Sequence, residues 1–140
     1  MEETPLIRLN LCAPLVYART DNLPPDLAEN GEFLLCFDLD PVQSRSIEPD
    51  PGLLLDSLVF TGKTGGLDTL QAQTVSLPAG MYLFTQRRSA LNRQEWLDLA
   101  IEQQKDGLWE RYKTENRLYV RHLFEDGSHV TQLFRPLSGI

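Results

Sequence analysis

The stretch "RLYVRHLFEDGSHVTQLFR", residues 117–135, decides the architecture. Two runs rich in Val, Leu, Tyr, Phe and Thr, 117–125 and 129–135, flank Asp126-Gly127. An Asp-Gly pair between such runs signals a hairpin, because a type I′ turn needs positive φ at both central residues. A two-residue turn there also fixes the register: His122 faces Thr131, Phe124 faces His129, and Arg121 faces Gln132. Strands joined by turns this short must run antiparallel.

Just upstream lies the clearest helix signal, beginning near Asn92. Asn92 as N-cap and Glu95 three residues on make a capping box, with Leu91 and Trp96 as the hydrophobic staple around it. Leu97, Ile101, Leu108 and Tyr112 recur on one face, with Ala100 beside them. Gly107 is the point where such a helix would kink or split.

Working back towards the N-terminus, 81–88 reads as a strand after a Pro78-Ala79-Gly80 turn. Residues 67–77 are ambiguous between strand and helix and are taken as a strand. The run 53–60, "LLLDSLVF", is another strand, and 41–52, with three prolines, is a loop. In 32–40, "EFLLCFDLD", Phe33, Leu35, Phe37 and Leu39 alternate with the rest, which predicts a strand with one buried face. Residues 5–19 hold two extended runs broken at Pro14, and 20–31 offers turn residues but no long helix. The expectation is a single α+β domain over 1–140: an antiparallel sheet with one long helix packed on a face, closed by a C-terminal β-hairpin.

Composition narrows the function classes. The chain has 140 residues and a net charge of −7, concentrated in residues 1–80, where four basic side chains meet twelve acidic ones. An acidic surface repels phosphate backbones, so nucleic acid is not an expected partner. The N-terminus has no basic n-region or apolar h-region, and no run approaches the ~18 apolar residues of a membrane span. A cytoplasmic location without membrane association is therefore expected. Cys12 and Cys36 each sit in an apolar run, which predicts two buried thiols.

The run "FTGKTGG", 60–66, invites a nucleotide-binding reading. A phosphate loop requires a first glycine at position 57, where this chain has Ser57, and a helix directly after the lysine. Residues 60–66 are read instead as a glycine-rich turn between strands 53–60 and 67–77.

Other constellations are weighed the same way. The hairpin register puts His122 and His129 on one face as diagonal neighbours, roughly 7–8 Å apart. They would be two ligands of a zinc set, but no third ligand is indicated, so neither a metal nor a cofactor is expected. Asp38 and Asp40 share a strand face, with Asp56 on a neighbouring run; they read either as an acid/base pair or, more commonly, as a solvated face. Arg87, Arg88 and Arg93 bracket the helix start, where an anion would gain from the dipole. Arg121 alternates with Tyr119 and Leu123 and needs a partner if that face is covered. Tyr82, Trp96, Trp109 and Tyr119 would line a cavity between helix and sheet, or else pack in the core. No Gly-x-Ser-x-Gly elbow exists, and neither cysteine is near a histidine in sequence.

From Thr74 to Pro136 the segment order is strand, turn, strand, long helix, two strands. With Pro78, Gly80 and Tyr82 in "VSLPAGMYLFTQ" (75–86) and Trp96 on the helix, this part of the chain resembles the second half-module of gyrase-inhibitor-like effector-binding domains. The resemblance implies a small-molecule cleft. Those domains often use a glutamate on the strand after the helix to hold cationic ligands. Here that strand carries Arg121 and His122 at its centre, with Glu125 at the hairpin tip, which suits an anionic or neutral ligand better. The first half departs from the pattern, because 20–31 supplies no matching helix.

The expected function is thus a non-enzymatic module binding a small, anionic effector through Tyr82, Trp96, Trp109, Tyr119, Arg121, His122 and His129. Two alternatives stand beside it: an interaction domain that homodimerises or docks a protein through a sheet face or edge, and an enzyme using Asp38/Asp40 or His122/His129.

Overall fold

The computed structural model describes residues 7–20, 32–39, 58–63, 73–89, 91, 93–125 and 127–138. Among them are eight strands: β1 (Ile7–Leu11), β2 (Leu15–Thr20), β3 (Phe33–Asp38), β4 (Leu58–Lys63), β5 (Thr74–Leu77), β6 (Gly80–Arg87), β7 (Arg117–Glu125) and β8 (Ser128–Pro136). A helix, α1 (Arg93–Trp109), lies between β6 and β7 in sequence. All pairings are antiparallel and form one sheet in the order β1-β6-β8-β7-β3-β4-β2-β5. The α+β class and the antiparallel sheet hold.

The hairpin register is the one its turn predicts. His122 pairs Thr131, Phe124 pairs His129, Arg121 pairs Gln132, and Glu125–Ser128 closes the turn, with Gly127 at φ 78°.

The sheet buries both faces. Leu35, Phe37, Leu118, Val120 and Leu133 on one face form a core with Trp96, Leu97, Leu99 and Ala100 of α1. On the other face Tyr17, Leu34, Cys36, Leu77, Tyr82, Phe84, Tyr119 and Phe134 form a second core, against which Leu9, Leu11, Leu15 and Val75 pack. This second core draws on β1 and β6 at one end of the strand order and on β2 and β5 at the other. Side chains from opposite ends meet only if the sheet curls over its own inner face, which is the interior described below.

That curl corrects the one-faced reading of β3. Leu34 and Cys36, assigned to a solvent face, are as buried as Leu35 and Phe37. Their apolar character was the visible sign, since an exposed face would carry polar residues there.

The buried stripe of α1 is also rotated from the expected one. Trp96, Leu97, Ala100, Gln103, Gln104 and Gly107 are buried, whereas Ile101 and Leu108 are only partly covered and Tyr112 lies beyond the helix. Two glutamines in the stripe hid it, because a hydrophobic period skips polar residues. The helix runs unbroken through Gly107, where a Cβ would meet Leu83 Cδ1 at 3.0 Å. Asn92 lies outside the described residues. The helix ends in a Schellman turn, with Tyr112 N–H donating to Gly107 O (2.9 Å) and Arg111 N–H to Leu108 O (3.1 Å), and Arg111 at φ 63°.

Part of the expected glycine-rich turn is strand instead. β4 includes Thr61, Gly62 and Lys63, and Gly62 pairs Leu34 on one side and Arg19 on the other. A Cβ on Gly62 would lie 2.7 Å from both Tyr17 Cβ and Val75 Cγ2, so the glycine serves close packing in the curl. Within β5, Thr74–Leu77 is strand as expected; 64–72 lie outside the described residues.

Candidate functional site

Alternation along β7 turns Arg117, Tyr119 and Arg121 to the interior, opposite the β3 face of Leu34, Cys36 and Asp38, with Glu32 just ahead of the strand. An acid–arginine pair stands at each end of this ladder. Arg117 Nε donates to Asp38 Oδ1 at 2.7 Å, with the side chains 43% and 53% exposed. Arg121 and Glu32 are deeper, 17% and 25% exposed.

Arg121 anchors a connected polar cluster above the apolar interior. Its Nε donates to Tyr17 Oη (2.9 Å) and Glu32 Oε2 (3.1 Å), its Nη2 to Glu32 Oε2 (2.9 Å), and its Nη1 to Gln132 Oε1 (2.9 Å). Gln132 Nε2 in turn donates to Gln86 Oε1 at 2.7 Å. The Tyr17 hydroxyl donates to Glu32 Oε2. Burial alone would lower the Arg121 pKa; Tyr17 and Glu32 outweigh it and leave the guanidinium above its ordinary value. The Tyr17 phenol is pushed up, first by burial and then by its bond to Glu32. The cluster is thus a fixed cation, a carboxylate, a protonated phenol and two amides, partly open to water.

His122, the next residue, points to the opposite face. It is 4% exposed, and its Nδ1 lies 3.2 Å from Thr131 Oγ1. Thr131 donates its own proton to Ser89 O at 3.1 Å, so the hydroxyl accepts from Nδ1–H, which assigns the neutral Nδ1–H tautomer. Burial, and secondarily His129, lowers the His122 pKa to about 4. His129 is half-buried, edge-on to Phe124 with ring centroids 5.0 Å apart. No group of three His, Cys, Asp or Glu suited to a metal occurs among the described residues.

The seven residues singled out by sequence do not gather in one place. Tyr82, Tyr119 and Arg121 are on the interior face, Tyr82 edge-on to Tyr119 at 6.2 Å with its hydroxyl bonded to Pro78 O. Trp96 packs on Phe37 at 5.5 Å in the other core. His122 and His129 share that side of the sheet. Trp109, the last helical residue, is 85% exposed. Glu32, Tyr17, Gln132 and Gln86 complete the cluster around Arg121. The sequence signalled only that Arg121 required a partner, since nothing local reveals that β3 lies beside β7.

The remaining candidates disperse. Asp38 is held by Arg117, and Asp40 and Asp56 lie outside the described residues. Arg87 approaches Glu102 at 3.9 Å, and Arg88 is exposed. Cys12 is exposed, contrary to expectation, and Cys36 is buried; both are free thiols. No described helix is long and apolar enough to cross a membrane.

Between α1 and the sheet is a small cleft lined by Leu83, Gln103, Leu108, Tyr112, Thr114 and Arg135. It has room for about one water-sized body, about 10 Å³. None of the seven residues lines it.

No protein-family model matches the chain, and no curated protein matches it.

Proposed function

We propose that the chain is a non-enzymatic module that binds a small molecule carrying a carboxylate or a similar planar anion, with Arg121 as its anchor. One observation carries this reading: Nε and Nη2 of a partly buried arginine converge on a single carboxylate oxygen of Glu32. Glu32 marks what this guanidinium accepts, and Tyr17, Gln132 and Gln86 supply the oriented polar groups that would select among ligands. The order β5, β6, α1, β7, β8 is the arrangement on which the effector-binding resemblance rests, and it lends further support.

A ligand carboxylate would compete with Glu32 for the same donors. In a thermal-shift screen of small mono- and dicarboxylates on the full chain, at least one should raise Tm. Arg121→Gln should abolish that shift, and Glu32→Gln should keep or enlarge it. No shift with any carboxylate, or one that survives Arg121→Gln, rules the reading out.

A second reading, an interaction domain, draws on Trp109, an almost fully exposed indole at the end of α1. Light scattering over a concentration series separates it, since self-association lost in Trp109→Ala would favour it. The enzyme reading gains nothing comparable, because Asp38 is taken up by Arg117 and His122 is a buried, neutral hydrogen-bond donor.

A further inference from the structure

β8 carries a third arginine, on the helix side of the sheet, and its surroundings differ from those of the other two. Arg135 is 3% exposed. Its Nε donates to Gln103 Oε1 (3.0 Å) and its Nη2 to the Ala100 carbonyl (2.8 Å), both neutral acceptors. No ion pair joins it to a carboxylate among the described residues. Gln103 has no donor to spare, since its Nε2 is committed to Thr85 Oγ1 and Leu133 O. Burial pulls the Arg135 pKa down to about 10, whereas Arg117 and Arg121, each with a carboxylate, lie above the ordinary value.

A cation this deep is costly unless an anion meets it. Arg135 borders the cleft that opens beside the Schellman turn, with the hydroxyl-bearing Tyr112 and Thr114 also in its lining. The room suits one spherical body the size of a water or slightly larger, too little for a phosphate. With a net charge of −7 the molecule does not attract anions as a whole, so an anion there must be held by these local donors.

We propose that this cleft binds a small monovalent anion of halide size, held by Arg135. The site lies across the sheet from Arg121 and does not depend on the function proposed there. The anion balances a charge that no carboxylate among the described residues meets. Because the unfolded chain has no such site, folding is linked to halide concentration.

The test is urea unfolding of the full chain in sodium chloride or bromide against sodium gluconate at constant ionic strength. Stability should rise saturably with halide, and above half-saturation each tenfold increase should raise the folding equilibrium constant about tenfold. Arg135→Met should erase the halide dependence. Should that variant not fold, Thr114→Phe, which fills the rim and leaves the arginine in place, should weaken apparent halide affinity at least tenfold. Crystals soaked in bromide should give an anomalous peak within hydrogen-bond reach of the Arg135 guanidinium. Coincident unfolding curves in chloride and gluconate, a halide effect unchanged in these variants, or an ordered water without bromide in the cleft would overturn the proposal.

Discussion

Arg117 and Arg121 stand four residues apart on the same face of β7, and each holds a carboxylate contributed by β3 or its first flanking residue, Asp38 and Glu32. Between them lies Tyr119, packed edge-on to Tyr82 in the inner core. The two pairs join the same charged groups but differ in exposure and in the neighbours that share the deeper one, so the energetic contrast between them reports burial together with the Tyr17 and Gln132 bonds.

Exposed ion pairs contribute at most about 1 kcal/mol, because solvent screens the charges. The Arg117–Asp38 coupling, measured by a double-mutant cycle in urea, should therefore be about 0.5 kcal/mol. Arg121–Glu32 shares its oxygen with Tyr17 and sits deeper, so its coupling should be about 1–2 kcal/mol. Equal couplings would mean that the inner cluster is as well solvated as the outer pair.

His122 makes stability pH-dependent with a definite sign. Its folded pKa of about 4 lies below the ordinary imidazole value of 6.5. The unfolded chain therefore binds more protons between these values. The contribution is fully present above pH 6.5 and is lost as pH falls towards 4, on the order of 3 kcal/mol in all. Carboxylates titrate in the same range, so the quantity to measure is the difference between wild type and His122→Gln from pH 7 to 4. Wild type should lose more stability than the variant over that interval, and parallel curves would show that His122 takes up its proton without unfolding.

Gly62→Ala tests the curl itself. The added methyl would sit 2.7 Å from Tyr17 Cβ and Val75 Cγ2, and neither is the far end of a flexible side chain. Overpacking of this kind costs about 1–3 kcal/mol, and the upper end is expected, since strands on both sides are fixed by pairing. Chemical denaturation reads it directly. A neutral outcome would place β2 and β5 farther from β4 than described.

The two cysteines should differ in reactivity. Burial, above all, pushes the Cys36 thiol up to about 12, whereas Cys12 is exposed. Titration with a thiol-specific disulfide reagent should detect one thiol in the native chain and two in denaturant. Two fast native thiols would mean that β3 opens readily.

Local signals in the sequence were read well where the physics is local. Asp126-Gly127 fixed the β7–β8 register pair by pair, because a two-residue turn leaves no freedom. The helix expected from near Asn92 begins at Arg93. Long-range relations were hidden. The apolar character of Leu34 and Cys36 points to a covered face but not to the strands that cover it, and Gln103 and Gln104 look like surface residues until Arg135 is brought beside the helix. The partner of Arg121 was unreadable for the same reason: Glu32 is distant in sequence and becomes a neighbour only through the β3–β7 pairing.

The end of α1 yields the last prediction. Arg111 occupies the position after the helix where the backbone turns left-handed, at φ 63°, and its N–H and that of Tyr112 close the Schellman bonds to Leu108 and Gly107. A side chain at this φ costs about 1 kcal/mol against glycine, because Cβ crowds the following carbonyl oxygen. Glycine also gives the unfolded chain more freedom, which offsets part of the gain. Arg111 is exposed, and its backbone bonds survive substitution. Arg111→Gly should therefore stabilise the chain by roughly 0.5–1 kcal/mol in urea, whereas Arg111→Val, β-branched at the same φ, should destabilise it by about as much. If glycine and valine shifted stability in the same direction, the left-handed turn would not be the conformation that ends the helix in solution.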